Sequence, residues 1–534
     1  MSSTRETKPS GALARRAGTV AAFTLGSRVL GYVRDAVMAH AFGASLALDA
    51  FIAAQTIPNV LRRLVAEGTL MIAYIPLLTE EKTTGGRAAM RRFSAAVLGA
   101  LLPVLVLLVG LGVAFPEVGV ALFASGFDEP RAVLAADLTR VMMPFLLFIS
   151  LVAVASGALN TVGRFAPPAA APMLLNVAII TAVLAVRDRF EDPIEAAAWG
   201  VVAGGAAQLL LQLPFLAREG LLVRPRFEPR HPALAVLGRR MLPALFGVGV
   251  YQLNMVVIRQ IASFLPSGQL SCYFLASRLE EFALGVFAVS ISVAALPTLS
   301  EHAARKDRAA LLETFDLALR ATFFVTVPAT AALLTLAEPI VVTLFQRGAF
   351  DAEATALTAR LVRLMAGALL PIGAVRVMVP TYYALGDTRT PVVAATASLL
   401  TTAGLGLSLA GSLEVLGLTA ATIGAAVAQA ALLGAWLPRR VRSTVGPAPE
   451  GETAPAYLRF AIRCLGAALP GAYLAHRLSA ALAWQTLETW QKVLGLGGLG
   501  ALLVGSFAGL SALLGIEEAR RVGGAIVRRL PGRR

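Results

Sequence analysis

The sequence predicts an all-α polytopic membrane protein with about fourteen transmembrane helices. They are expected as two parallel six-helix repeats around a central cavity, with two extra helices at the C-terminus. Three observations lead there. Hydrophobic residues make up 57% of the 534 residues and charged ones only 15%, against about 25% charged in soluble domains. Apolar runs of about twenty residues recur along the whole length, too long for the alternating strands of an outer-membrane barrel. Short motifs also repeat at a separation of about 221–227 residues.

The apolar runs fall at roughly 17–40, 46–78, 93–114, 133–160, 168–186, 194–216, 238–264, 268–299, 315–336, 354–384, 390–411, 414–437, 457–476 and 493–515. The chain then divides into a cytoplasmic N-terminal tail (1–16), an N-terminal six-helix lobe (17–232) and a C-terminal six-helix lobe (233–442). Extra helices 13 and 14 follow (443–515), and a basic cytoplasmic tail (516–534) closes the chain. No polar segment is long enough for a soluble catalytic head.

Basic residues sort by side. Alternate connections hold Arg15, Arg16, Lys82, Arg87, Arg91, Arg92, Arg218, Arg224, Arg226, Arg230, Arg239, Arg240, Arg305, Lys306, Arg308, Arg439, Arg440 and Arg442. The others carry few: Arg131, Arg187, Arg189, Arg347, Arg477 and Lys492. Including the tails, the balance is about 28 to about 6, which places the rich side and both termini in the cytoplasm. The expected location is the bacterial cytoplasmic (inner) membrane, multi-pass. Arg15 and Arg16 before an apolar run ending in Ala39-His40-Ala41 imitate a signal peptide, but Arg28, Arg34 and Asp35 interrupt the run.

The net charge of +15 belongs to this orientation signal, and no nucleic-acid partner is expected. Cys272 and Cys464 lie in apolar runs, and the four histidines are scattered. No disulfide framework or metal site is expected.

The repeat is visible in three places. Pro76-Leu77-Leu78-Thr79-Glu80 matches Pro297-Thr298-Leu299-Ser300-Glu301, and Leu122-Phe123 before Gly126-Phe127-Asp128 matches Leu344-Phe345 before Gly348, Phe350 and Asp351. Ala158-Leu159-Asn160-Thr161 ahead of Pro167 resembles Ala384-Leu385-Gly386-Asp387-Thr388 ahead of Pro391. A unit of six spans returns the chain to its starting side, so the copies are parallel, as in transporters with the substrate between two halves.

Ionisable residues inside the apolar runs are the functional candidates, because each costs at least about 2.5–3.5 kcal/mol to insert. Span 1 carries Arg28, Arg34 and Asp35; seven residues is nearly two turns, so Arg28 shares a face with Asp35, and Ser27 with Arg34. Span 2 carries Asp49, Arg62, Arg63 and Glu67 around Pro58, a kink position. Span 7 adds Arg259, span 8 Arg278, Glu280 and Glu281, and span 10 Arg376. Arg63–Glu67 and Arg278–Glu281 have pairing distance in sequence. Every basic member is arginine, whose fork binds phosphate in a bidentate way and stays charged when partly desolvated. An anionic cargo is expected, phosphate above all. A cation-coupled drug exporter would show the reverse, a carboxylate-dominated cavity.

Several of these residues lie in longer signatures. Ser27-Arg28-Val29-Leu30-Gly31-Tyr32-Val33-Arg34-Asp35, Phe42-Gly43-Ala44, Asp49-Ala50-Phe51 and Ile57-Pro58-Asn59-Val60-Leu61-Arg62-Arg63 through Ala66-Glu67-Gly68 resemble the MurJ (MviN) lipid II flippases. Leu344-Phe345-Gln346-Arg347-Gly348-Ala349-Phe350 and Tyr383 to Pro391 are similar to that family's second-half signatures. The resemblance implies a fourteen-helix member of the multidrug/oligosaccharidyl-lipid/polysaccharide exporter superfamily. Such a protein moves the undecaprenyl-diphosphate-linked disaccharide pentapeptide of peptidoglycan synthesis between leaflets by alternating access.

Carried over residue by residue, the family's cavity arginines match Arg28, Arg34, Arg62 and Arg278, with Asp35 and Asp49 as acidic partners; Glu67 and Arg376 join them as substrate-binding candidates. Helices 13 and 14 are implied to form a groove for the lipid tail. Where some members carry a span-7 aspartate linked to sodium, this chain reads Val257-Ile258-Arg259. That argues against sodium coupling, and membrane potential acting on moving charges is expected instead. No catalytic residue, enzyme activity or cofactor is expected, and the partners expected are lipid II and membrane lipids, with the chain acting as a monomer. The alternative cargo is another polyprenyl-diphosphate-linked oligosaccharide of the O-antigen type. A lipid-modifying enzyme would need catalytic carboxylates or histidines clustered at a membrane face.

Overall fold

The computed structural model describes residues 11–64, 69–285, 288–447 and 457–519. All regular structure among them is helical, with no strand. By contact the chain forms two units, Met1–Gly268 and Gln269–Arg534.

The first unit holds α1 (Gly11–Phe42), α2 (Leu46–Arg62), α3 (Thr69–Ala114), α4 (Pro116–Ala124), α5 (Glu129–Met142), α6 (Pro144–Thr161), α7 (Ala166–Val186), α8 (Glu195–Arg218) and α9 (Pro232–Ser263). Gly43, at φ 65°, ends α1, and the Ser45 hydroxyl caps α2 by accepting from the Leu48 N–H at 3.4 Å. Helix α3 doubles back at Gly86 (φ 67°, ψ −160°), a conformation open essentially to glycine alone. Its two arms then meet: the Tyr74 and Ser94 hydroxyls share a buried hydrogen bond of 3.0 Å, and the Tyr74 and Phe93 rings lie 5.7 Å apart. Helices α7 and α8 approach closely through small residues. A Cβ on Gly200 or Gly204 would come within 2.8 Å of the Cα of Ile179 or Leu175, the usual way membrane helices pack without a hydrophobic drive.

The second unit holds α10 (Gln269–Gly285), α11 (Ala288–Ala304), α12 (Arg308–Leu344), α13 (Ala352–Ala366), α14 (Leu369–Ala384), α15 (Arg389–Val445), α16 (Tyr457–Ala480) and α17 (Thr489–Leu513). Its main core joins α11, α12, α14 and α15 around Leu299, Phe315, Tyr382 and Leu433. Helix α15, with 57 residues, is two arms broken at Glu414 (φ 51°, ψ −133°). Helices α16 and α17 pack on each other and on α12, where the Phe324 and Phe507 rings sit 5.0 Å apart.

Among the described residues, seven helices are long and apolar enough to cross a membrane, or eight if α13 and α14, bent by 46°, are one span. The expectation of about fourteen runs past this number for physical reasons. α3 and α15 each combine two runs across a bend, while α1 is diluted by its charges.

The internal repeat has a structural counterpart. Asp128 precedes α5 as its N-cap, and Asp351 precedes α13 as its N-cap. The turns after α6 and α14 close alike: Arg164 N–H bonds Leu159 C=O, and Asp387 N–H bonds Tyr382 C=O, both at 2.9 Å. Each turn places a glycine in the left-handed region, Gly163 at φ 79° and Gly386 at φ 70°. Gly163 therefore corresponds to Gly386, three residues off the sequence alignment of Ala158 with Ala384.

Each turn is tied to a later helix end with the charges exchanged. In the first unit Arg164 pairs with Glu219 at 2.8 Å; in the second Asp387 pairs with Arg440 at 3.2 Å. Burial pushes the Asp387 carboxyl up. Hydrogen bonds from the Thr390 N–H and hydroxyl, the Arg440 charge and the Arg389 N–H outweigh it and hold the group below its ordinary value. A lowered carboxylate contributes stability above its unfolded value, about 3.9, that is lost as pH falls through the folded value. Thermal unfolding in detergent should therefore be insensitive to this group near neutrality and weaken in acid, and Asp387→Asn should flatten that acid limb while lowering stability at pH 7.

Candidate functional site

The first unit brings part of the candidate set together on α1. Arg34 donates from Nε and Nη2 to Asp35 Oδ1 at 3.0 and 2.7 Å, and from Nη1 to Asn176 Oδ1 of α7 at 3.1 Å. Asn176 Nδ2 donates in turn to the Ser27 carbonyl at 3.1 Å. The face shared by Ser27 and Arg34 is thus stitched to α7, and Asp35 is buried. Arg28 is exposed on the same helix. Arg34 is a guanidinium held in one orientation, whereas Arg28 extends from the helix.

On α2 the candidates separate. Arg62 is half-buried at the helix end, and its neighbour Arg63 donates to the buried Gln252 of α9 at 3.4 Å. Glu67 lies outside the described residues, and with it the Arg63–Glu67 pair. Asp49, at the opposite end of α2, is fully buried. Its carboxylate accepts from the Gly268 N–H at 2.7 Å and lies 3.9 Å from Arg131 Nη1. Arg131 also pairs with Asp128, donates to the Leu265 carbonyl at 3.0 Å and covers the Phe127 ring at 5.0 Å. Asp49 thus fastens the start of α2 to the start of α5 and to the segment after α9. Reading the sequence alone left Arg131 as a loop cation; its spacing of three from Asp128 was the available signal.

The second unit holds Arg278 and Arg376. Arg278 on α10 pairs with Glu281 at 3.0 Å, as the i,i+3 spacing predicts, and lies over the Phe274 ring at 4.8 Å. The pair is half-exposed, so it contributes little to stability. Arg376 on α14 acts electrostatically on Glu280 of α10, and its backbone carbonyl accepts from Ser292 at 2.6 Å. Arg259 is buried on α9 of the first unit. Sequence reasoning missed Asn176 and Gln252, neutral partners distant in the chain.

The arrangement suits anion recognition: guanidiniums oriented by carboxylates, amides and an aromatic face. Among the described residues no group of three or more His, Cys, Asp or Glu could hold a metal ion.

Comparison with known proteins follows the same line. Residues 38–487 match the family described as "Lipid II flippase MurJ"; the matched stretch starts just after Arg34 and Asp35. The lipid II flippase MurJ of Burkholderia cenocepacia is 37% identical over 464 residues, 86% of this chain and 88% of its own. The probable lipid II flippase MurJ of Haemophilus influenzae is 36% identical over 428 residues, 77% of this chain and 83% of its own. Among solved structures, "Lipid II flippase MurJ, inward closed conformation" is similar at a TM-score of 0.76 and 24% identity, covering 93% of this chain and 98% of that one. An inward-facing multidrug resistance transporter of the MATE family shares the fold at a TM-score of 0.67 and 14% identity, covering 78% of this chain and 95% of that one.

Proposed function

Since this chain belongs to the MurJ family of lipid II flippases, we propose that it carries lipid II from the cytoplasmic to the periplasmic leaflet of the inner membrane, with arginines holding the diphosphate. The observation that carries the residue assignment is the all-arginine set of candidate cations inside its apolar runs. A diphosphate cannot cross hydrocarbon uncompensated, and guanidiniums remain charged where lysines would not. Arg28, Arg34 and Arg62 of the first unit and Arg278 and Arg376 of the second take that role. Asp35 orients Arg34, and Glu281 occupies Arg278 until phosphate displaces it.

Transport proceeds by alternating access without chemical conversion of the cargo. The chain crosses the membrane fourteen times as a monomer with both termini in the cytoplasm, and α16 and α17 flank the polyprenyl tail. A potential of 100 mV is worth about 2.3 kcal/mol per elementary charge, enough to bias the return of an emptied cationic site without a coupling ion.

Rescue of a bacterium depleted of its own lipid II flippase tests this reading. The wild-type chain should restore growth, and Arg278→Ala should fail at equal membrane abundance. An inserted wild-type chain that does not rescue, while restoring export of an O-antigen-type lipid, would move the assignment to that cargo. Growth restored fully by Arg278→Ala would remove Arg278 from the site.

A further inference from the structure

The connection between α8 and α9 runs without regular structure from Leu221 to Glu228 and lies flat against α3. The Arg226 N–H donates to the Ala95 carbonyl at 2.9 Å. One turn further along α3, Gly99 meets the Arg226 carbonyl so closely that any Cβ there would collide with it. The connection is therefore a strap seated on the helix, and a cavity of about 200 Å³ lies beneath it.

Leu98 of α3, Val154 and Ala158 of α6, Leu213 of α8 and Val223 and Pro225 of the strap help to line this cavity. Its polar lining side chains are Tyr74 and Ser94, whose hydroxyls share one hydrogen bond. A space lined mostly by apolar side chains suits a hydrocarbon chain better than water. The half-buried Leu102, Leu151 and Leu209 also line it.

The strap is also charged and amphipathic. Arg224, between the lining residues Val223 and Pro225, is exposed, as is Arg230, while Arg226 pairs with Glu228 at 2.7 Å. Leu222 and Phe227 are 52% and 71% exposed, which suits a segment resting at a membrane interface.

We propose that this cavity is a fixed site for one anionic phospholipid of the surrounding membrane, with an acyl chain under the strap and the phosphate against Arg224. An acyl chain gains no hydrophobic free energy by leaving other lipid tails for a protein cavity. Retention of one lipid therefore depends on the fit of the chain together with the basic rim, and each basic residue near an anionic headgroup adds to it. The site is separate from the arginines assigned to the transported diphosphate and does not depend on that assignment.

Native mass spectrometry of the protein extracted from nanodiscs of equal parts dioleoyl phosphatidylglycerol and dioleoyl phosphatidylcholine tests it. Wild type should keep one phosphatidylglycerol in preference to phosphatidylcholine. Arg224→Ala should weaken that preference about five-fold, and Ala158→Phe, which fills the cavity, should reduce retention of both lipids. Arg305→Ala, in the second unit, should behave as wild type. Thermal melting identifies a misfolded Ala158→Phe, in which case Ala155→Leu replaces it. Equal retention of the two lipids by wild type, or an unchanged preference in Arg224→Ala, would overturn the proposal. So would crosslinking of a photoreactive polyprenyl phosphate, and not of photoreactive phosphatidylglycerol, to the strap.

Discussion

Arg28→Ala should slow lipid II transport sharply while leaving the protein inserted and folded. Arg28 is exposed on α1, and the links between α1 and α7 run through Arg34, Asn176 and Ser27. Its removal therefore takes away a cation without unpicking a helix contact. A hydrogen bond to a charged group is worth about 1.5–3 kcal/mol, so one lost phosphate contact should slow transport by about ten- to hundred-fold. Arg28→Lys keeps the charge and loses the fork, and should fall between the two. Transport rates and melting temperatures measured together separate this role from a structural one: the rate should fall and the melting temperature should hold.

Asp49→Ala should do the opposite, lowering stability by about 2–4 kcal/mol, because it leaves the Gly268 N–H without its acceptor and Arg131 without one of its partners in a buried place. Asp49, which the resemblance of the Asp49-Ala50-Phe51 segment to the flippases casts as a partner of the cavity arginines, accepts from the Gly268 N–H and lies beside Arg131. Asp49→Asn retains an oxygen for Gly268 and should recover part of the loss. Thermal unfolding in detergent, with transport normalised to folded protein, measures both effects.

These two residues show what the sequence discloses. Arg28, Arg34 and Asp35 were legible because an ion in an apolar run is conspicuous, and helical spacing put Ser27 and Arg34 on the face that Asn176 joins. The Arg278–Glu281 pair was legible for the same local reason. Asn176 and Gln252 were not, because their partners lie far away in the chain and periodicity carries no information about tertiary neighbours; of the partners of Arg131 only Asp128 is local, while Asp49 and Leu265 are distant. The repeat was legible through Asp128 and Asp351, which stand at the same local position, immediately before α5 and α13. Its register slipped by three residues at Gly386, because the turn is defined by backbone dihedrals and not by the neighbouring alanine and leucine. Bends at Gly86 and Glu414 likewise separate the two apolar runs within α3 and within α15.

The most direct measurement is translocation of fluorescent lipid II across vesicles containing the purified protein, read by a membrane-impermeant quencher. Wild type should move the lipid faster than protein-free vesicles do, and the Arg28→Ala/Arg278→Ala double variant should fall to the protein-free rate. A wild-type rate no faster than protein-free vesicles, or a double variant as fast as wild type, would contradict transport through these arginines.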